Sequence, residues 1–422
     1  MIKILIYVCI ITSMIGSASV FAIDLGIIQL SMFRASILFL FLYIILKILI
    51  KNEKIRLNSK GDNIYSIRFM LIWVIYAFFS LAWVRDYNAW LKAMFYLNIG
   101  LIIFIIFPKY LKNKFDVLLA FRLIFIMALI HNCLGWYEIN TGSYLFLETE
   151  KIAAYTRVSA PVTTFGNTND FATFMLLSVW ISYICLNNAK NLILKLIHMF
   201  SMISSVLLII STNSRAILLG LLLSTMAFIV LSMRRKRTRN FLLMILGLVF
   251  FIILLNSDII INIFTSISNN LSFNFSSQSG SVFVRINLIK NGLHFLISTF
   301  GFGVGAGNIE HWMSNEAIYY TEGIINMHNW WLEILVGYGL LIFVLYLLFY
   351  VKLFKSTYNK IKYSRNAVDM SISLGIMCFM AGYAIGSVSS SSNINSEWLW
   401  VFWGLAVAYQ GISENKSDRT FA

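Results

Sequence analysis

The sequence predicts an all-α polytopic membrane protein with about twelve transmembrane helices and a large external loop. Three observations carry that prediction. Hydrophobic residues fill 59% of the 422 positions and charged residues only 12%, whereas a soluble chain carries about 25% charged; mean hydropathy is +0.79. The apolar residues come in continuous runs of about 20, enough to cross a roughly 30 Å hydrocarbon layer, and they lack the alternation of a membrane β-barrel. Lastly, the basic residues crowd into every second connection between runs.

The expected spans follow in order. The first, 2–22, opens around Lys3 and ends in the small residues of "GSASVFA", which resemble a signal-peptide cleavage region. Its apolar run is too long for a signal core, so it reads as a span. Runs 30–50 and 67–84 flank the basic stretch around "KNEKIRLNSKGDN". Runs 91–108 and 117–137 are separated by "PKYLKNKFD", and 169–187 and 192–211 by a short link with Lys190. Run 215–233 ends at "RRKRTR", and 240–256 precedes the longest connection. Runs 328–351 and 369–388 are joined by "KLFKSTYNKIKYSR", and 396–413 leads into a tail with Lys416 and Arg419.

With the amino terminus inside, 25 of the 33 Lys and Arg residues fall on the inner side. Both termini are therefore expected in the cytoplasm, in a multi-pass protein of a bacterial cytoplasmic membrane. Topology and contact with anionic inner-leaflet lipids account for the net charge of +15 without nucleic acid as a partner. Cys9, Cys133, Cys185 and Cys378 lie in apolar runs without a CxxC pair and read as small buried hydrophobes.

The chain 1–422 reads as one integral membrane domain with two long external connections, 138–168 and 257–327. Within the second, "SVFVRINLIKNGLHFLIST" has the pattern of a helix lying at the outer interface. Loops beyond about 15 residues are usually functional or disordered, and this one is rich in aromatic and apolar residues. Function is thus expected at the outer face.

The polar residues there are few. Arg215 sits in "STNSRAILLG", Arg285 on the external helix near Asn287 and Lys290, and His328 at the opening of the tenth span. "RVSAPVTTFGNTNDFA" adds Arg157, Asn167, Asn169 and Asp170. Taken singly, each has a plain reading: an arginine snorkelling to the interface, an exposed loop arginine, a histidine in a tryptophan belt. Taken together they point to chemistry. Two arginines can grip a diphosphate through bidentate hydrogen bonds, and a histidine can accept a proton near neutral pH. Those are the parts of a sugar transfer from a lipid diphosphate. The outer segments carry no DxD for a metal-dependent transfer, and Glu310, Glu316, Glu322 and Glu333 form no evident close pair for a hydrolase. The chain has no G-x-S-x-G, H-E-x-x-H or Walker motif. "GFGVGAGN" (301–308) follows no βαβ strand and reads as a turn whose backbone packs closely or approaches phosphate.

The order "STNSRAILLG", "VRINLIKNGLHFLI", "GFGVGAGN", "MHNWWLEILVGYG" resembles the O-antigen ligase and Wzy-type polysaccharide polymerase superfamily over about 155–350. "FGNTNDFA" is similar to the Gly-Asn-x-Asn element of that superfamily, and "GAGN…NMHNWWLEIL" looks most like its teichuronic-acid and capsule polymerases. The resemblance implies a GT-C-like, metal-independent, inverting glycosyltransferase without a cofactor. Its donor would be a glycan on undecaprenyl diphosphate, and its other partners a glycan acceptor, membrane lipids and, as candidates, a flippase and a chain-length regulator. It assigns Arg215 and Arg285 to the donor diphosphate and His328 to the base. Asn329, Arg157 and Asn169 are lesser substrate-binding candidates. Polymerase and ligase share this donor chemistry and differ in acceptor. A lipid-linked oligosaccharide flippase or other transporter, and a non-catalytic envelope scaffold, remain as rival classes; neither an internal repeat nor a mid-membrane charge cluster favours a transporter.

Overall fold

A computed structural model describes residues 1–16, 22–26, 28–51, 63–146, 160–232, 281–363, 366–390 and 393–412, with isolated positions between 240 and 247. Among these, thirteen α-helices form: α1 Ile2–Ser13, α2 Met32–Lys51, α3 Ile64–Phe79, α4 Tyr87–Tyr110, α5 Lys114–Thr141, α6 Thr168–Asn187, α7 Leu192–Ser211, α8 Arg215–Ser232, α9 Ser281–Ser298, α10 Ile309–Glu316, α11 Trp330–Tyr363, α12 Ala367–Gly386 and α13 Glu397–Gln410. One two-residue β-pair, Ile23–Asp24 with Gln29–Leu30, closes the α1–α2 connection. The protein is an all-α polytopic membrane protein, and nine of the described helices (α2–α8, α11 and α12) are long and apolar enough to cross a bilayer. The expected ninth span, 240–256, lies outside the described residues apart from isolated positions.

Two expected spans are shorter than the apolar runs suggested. Helices α1 and α13 have 12 and 14 residues, rising about 18 and 21 Å, against a roughly 30 Å hydrocarbon layer. Helix α1 packs one face against α2 and α5 and leaves Ile4 and Val8 exposed, whereas α13 lies inside the bundle, against α4 with α1, α5 and α11 around it. Every residue of α13 is buried. A helix walled by protein can stop short because neighbouring polar groups, not lipid, meet its end. The start of α13 carries the buried ion pair Arg34–Glu397, 2.8 Å apart and 2% and 4% exposed. Ser31 Oγ donates to Glu397 Oε1 at 2.6 Å, and the guanidinium lies 4.7 Å from the Tyr96 ring centroid. This cluster locks α2 and α4 onto α13.

Polar residues at the turns start the helices. The side chains of Asp86, Asn113, Asn167, Asn191 and Asn366 accept hydrogen bonds from the first free N–H groups of α4, α5, α6, α7 and α12. Where α8 crosses α12 the backbones touch: a Cβ on Gly220 would lie 2.6 Å from the Gly382 carbonyl oxygen, and one on Gly382 equally close to that of Gly220. Cys9, Cys185 and Cys378 are buried as expected, but Cys133 of α5 is exposed. An apolar run does not distinguish a lipid-facing position from a core one.

The decisive feature is a break in α11. Gly339 has φ 75° and ψ 177°, so the helix is interrupted there and its first segment runs from Trp330 to Tyr338. The break frees the carbonyls of Val336 and Gly337, which accept from Val304 N at 2.8 Å and Gly305 N at 3.0 Å. In return Leu340 N donates to the Gly301 carbonyl at 2.9 Å. The glycine-rich turn 301–308 thus docks its backbone onto a broken helix, the close packing that the sequence suggested. Tyr76 Oη and Trp83 Nε1 donate to its Phe302 and Gly303 carbonyls at 2.7 and 3.0 Å, fixing it to α3 and the turn after it.

Gly339→Ala places a side chain at positive φ and against the Phe302 carbonyl. We expect it to destabilise the protein by at least about 1–3 kcal/mol, read as a lowered unfolding temperature in detergent; an unchanged temperature would mean the break is dispensable.

Candidate active site

Three sequence candidates come together at the end of the bundle where α6, α8 and α11 begin. Arg215 opens α8 and Arg285 lies on α9. Burial and then the nearby charge of Arg215 hold the Arg285 guanidinium below its ordinary value. His328 precedes α11, and burial followed by the Arg285 charge hold its imidazole below the ordinary 6.5. Each site residue therefore lies within electrostatic reach of the next.

The chain around each is pinned. Ser214, beside Arg215, donates from Oγ to Asn169 Oδ1 at 2.7 Å, so the start of α8 is tied to the start of α6. The approach to α6 is itself seated: Glu138 Oε2 accepts from Val162 N and Thr163 N at 2.8 and 2.9 Å. Buried His131 bridges Thr163 Oγ1 at 3.0 Å and the Met14 carbonyl at 2.7 Å. Helix α9 is stitched to residues 318–320 by two asparagines one turn apart. Asn291 Oδ1 accepts from Ile318 N and Tyr319 N at 3.0 and 2.9 Å, and Asn287 Nδ2 donates to the Tyr320 carbonyl at 2.8 Å. These bonds fix the orientation of α9 and hence of Arg285.

Of the three, His328 has a left-handed backbone. Its φ is +47°, a left-handed conformation rare for a side chain with a Cβ and costing about 1–3 kcal/mol. Its surroundings impose it. Met327 is buried in a second core with Val284, Leu288, Phe295 and Val336, under α9. Trp330, two residues after His328, is buried in the main core. Its backbone N–H donates to the Ser387 carbonyl at 3.0 Å and its Nε1 to Tyr346 Oη at 2.9 Å. Asn326 Oδ1 accepts from His328 N at 2.9 Å. The histidine thus spans two cores, and its kinked backbone is the link.

The lesser candidates fare differently. Asn329 is a helix cap: its Oδ1 accepts from Trp331 N and Leu332 N at 3.1 and 3.3 Å. Asn169 is a strut for Ser214. Arg157 lies outside the described residues. The sequence reading missed the work of Asn308, fully buried in the glycine-rich turn. Its Oδ1 accepts from Arg85 N at 2.9 Å and Asp86 N at 2.7 Å, and its Nδ2 donates to the Asp86 carbonyl at 3.1 Å. An Asn closing a Gly-x-Gly-Asn turn was the available signal. Arg85 completes the dock, pairing with Glu316 and lying 4.2 Å over the Trp312 ring of α10.

Fold and site together describe a multi-pass helical membrane protein with a cationic, histidine-containing centre at one end of its bundle. Residues 200–347, which hold all three central residues, match the O-antigen ligase family. The chain is also 30% identical over 345 residues to the teichuronic acid biosynthesis protein TuaE of Bacillus subtilis (strain 168), covering 81% of this chain and 70% of that protein. The chain belongs to the O-antigen ligase and Wzy-type polymerase superfamily. It is accordingly a membrane polysaccharide polymerase or ligase.

An asparagine tolerates positive φ, so His328→Asn should keep the turn while removing the imidazole. We expect turnover to fall by roughly 10²–10⁴-fold, the usual contribution of a general base, with the unfolding temperature retained; near-normal polymer yield would remove His328 from the chemistry. In the wild type, the acid limb of kcat/KM should lie below the ordinary histidine value of 6.5, because neutral imidazole persists to lower pH. Arg285→Ala should move that limb upward, and a limb that stays in place would refute the electrostatic coupling.

Proposed function

We propose that the protein transfers a glycan from undecaprenyl diphosphate to an acceptor sugar hydroxyl at the outer face of the cytoplasmic membrane, in cell-surface polysaccharide synthesis. The observation that carries this reading is the convergence of Arg215, Arg285 and His328, each felt electrostatically by its neighbour. Two guanidinium groups near each other favour a multiply charged anion that both can bind. A diphosphate, with oxygens for two guanidinium forks, suits that demand. Arg215 also stands at the amino end of α8, where the helix dipole adds to the attraction.

The reaction follows from these placements. The acceptor hydroxyl oxygen attacks the anomeric carbon of the donor glycan as its proton passes to His328. The bond from the anomeric carbon to the diphosphate oxygen breaks, and undecaprenyl diphosphate leaves with the electron pair. The two arginines stabilise the charge that grows on the leaving group, a role that requires no metal ion. One displacement on the face opposite the leaving group inverts the anomeric centre. The acceptor is the growing glycan in a polymerase and a lipid or wall component in a ligase. The distribution of basic residues supports cytoplasmic termini and an outward-facing site.

The test is polymerisation or transfer by purified protein in proteoliposomes supplied with the lipid-linked repeat unit; wild-type protein that forms no product would overturn the reading. Arg215→Lys and Arg285→Lys keep charge but lose the planar fork, so each should lower turnover on the order of 10²-fold, the scale for losing one transition-state donor. Full activity in either variant would reduce that arginine to simple charge. Activity should also persist in EDTA, and its loss would contradict the metal-free mechanism.

A further inference from the structure

Beside the arginine–histidine centre lies a cavity of about 420 Å³, within the range of small-molecule sites. Its walls come from the first turns of α4, from Gly307 and α10, from Asn326, Met327 and the first segment of α11, and from Ile394 and Asn395 before α13. Residues on both sides of His328 in the chain, Met327 and Trp330, line it, whereas neither Arg215 nor Arg285 does. The strained histidine backbone therefore stands at its border.

The chemistry of this cavity is opposite to that of the arginine pair. Asp86, Glu310 and Glu333 contribute three carboxylates, with Lys92 the cation among the lining residues. Such a wall repels a diphosphate. It suits a sugar: carboxylates accept hydrogen bonds from hydroxyls, and the amides of Asn88, Asn326 and Asn395 both accept and donate them. The rings of Tyr96, Trp330 and Tyr338 offer apolar surface to the C–H faces of a pyranose. Tyr96 is held from behind by the buried Arg34–Glu397 pair, and Trp330 by Tyr346, so this part of the wall is rigid before any ligand arrives.

We propose that this cavity binds the acceptor sugar, whose hydroxyl attacks the donor. The inference rests on the donor reading given above and adds a second subsite to it. The donor diphosphate lies on the arginine side of the 326–330 segment, the acceptor glycan on the carboxylate side, and His328 between them.

The test uses the full-length protein in nanodiscs and two probes, undecaprenyl diphosphate and the lipid-free repeat oligosaccharide released from the host's own lipid-linked pool. Two variants alter exposed lining residues: Asn88→Trp fills the rim, and Glu310→Gln removes a carboxylate. Each should weaken oligosaccharide binding by about tenfold or more, Asn88→Trp by occupying the rim and Glu310→Gln by removing a hydrogen bond to a charged group. Undecaprenyl diphosphate binding should be unchanged, which also shows that the variants are folded. Wild-type protein that does not bind the oligosaccharide, or binding unaffected in both variants, overturns the acceptor subsite. So does loss of undecaprenyl diphosphate binding in a Glu310→Gln variant that keeps the wild-type unfolding temperature in detergent, which would give the cavity to the donor. Wild-type protein that binds the oligosaccharide at the cavity but not undecaprenyl diphosphate would instead overturn the donor reading.

Discussion

The rest of the site depends on one constraint: within a membrane domain, backbone polar groups must find partners in the protein. The break at Gly339 leaves carbonyls without their helical donors, and the glycine-rich turn supplies Val304 N and Gly305 N in their place. That exchange explains why two glycine-rich stretches, "GFGVGAGN" and "LVGYG", occur in one chain. A side chain at Gly303 would meet the Val336 carbonyl, and one at Gly339 would meet that of Phe302. The turn then reaches the start of α4 through Asn308 and the second core through Val304. The first segment of α11 is gripped from both sides, and His328 is set just before it.

A second consequence is electrostatic. The Arg215 charge reaches Arg285 and the Arg285 charge reaches His328, and the structure holds that histidine at positive φ. The left-handed backbone costs folding free energy and is sustained by packing in the two cores that Met327 and Trp330 enter. Strain of this kind persists only where the surroundings over-determine it. It is also what a preorganised site requires, since donors fixed in advance need not reorganise when charge develops.

Much of this was legible in the sequence, for identifiable reasons. Long apolar runs can be little other than spans, and Arg215, Arg285 and His328 stood out because polar residues are scarce in such a chain. What the sequence hid was of three kinds. Helix α13 is short where protein surrounds it, which a run of hydrophobic letters does not encode. Gly339 sits inside an apolar run, where a glycine is as easily a tolerated helical residue as a break. Asn169 and Asn329 looked like ligand-binding amides, yet their oxygens hold Ser214 and the start of α11. Asparagine directly before a helix is a cap at least as readily as a ligand, and the pattern "HNWWLE" offered that reading.

The division of charge across the 326–330 segment bears on how one site can manage two glycans. In a polymerase, donor and acceptor can be the same kind of lipid-linked molecule, so recognition of the sugar alone cannot assign the roles. Charge can. On the proposed reading the diphosphate is drawn to Arg215 and Arg285 and turned away by Asp86, Glu310 and Glu333. A molecule bound by its diphosphate presents its anomeric carbon near the arginines, and one bound by its far sugar presents a hydroxyl from the opposite side. Transfer beside His328 then requires both places to be filled. A ligase needs the same donor side and can change its acceptor by changing the cavity alone, which gives a physical reason for one superfamily to serve both reactions.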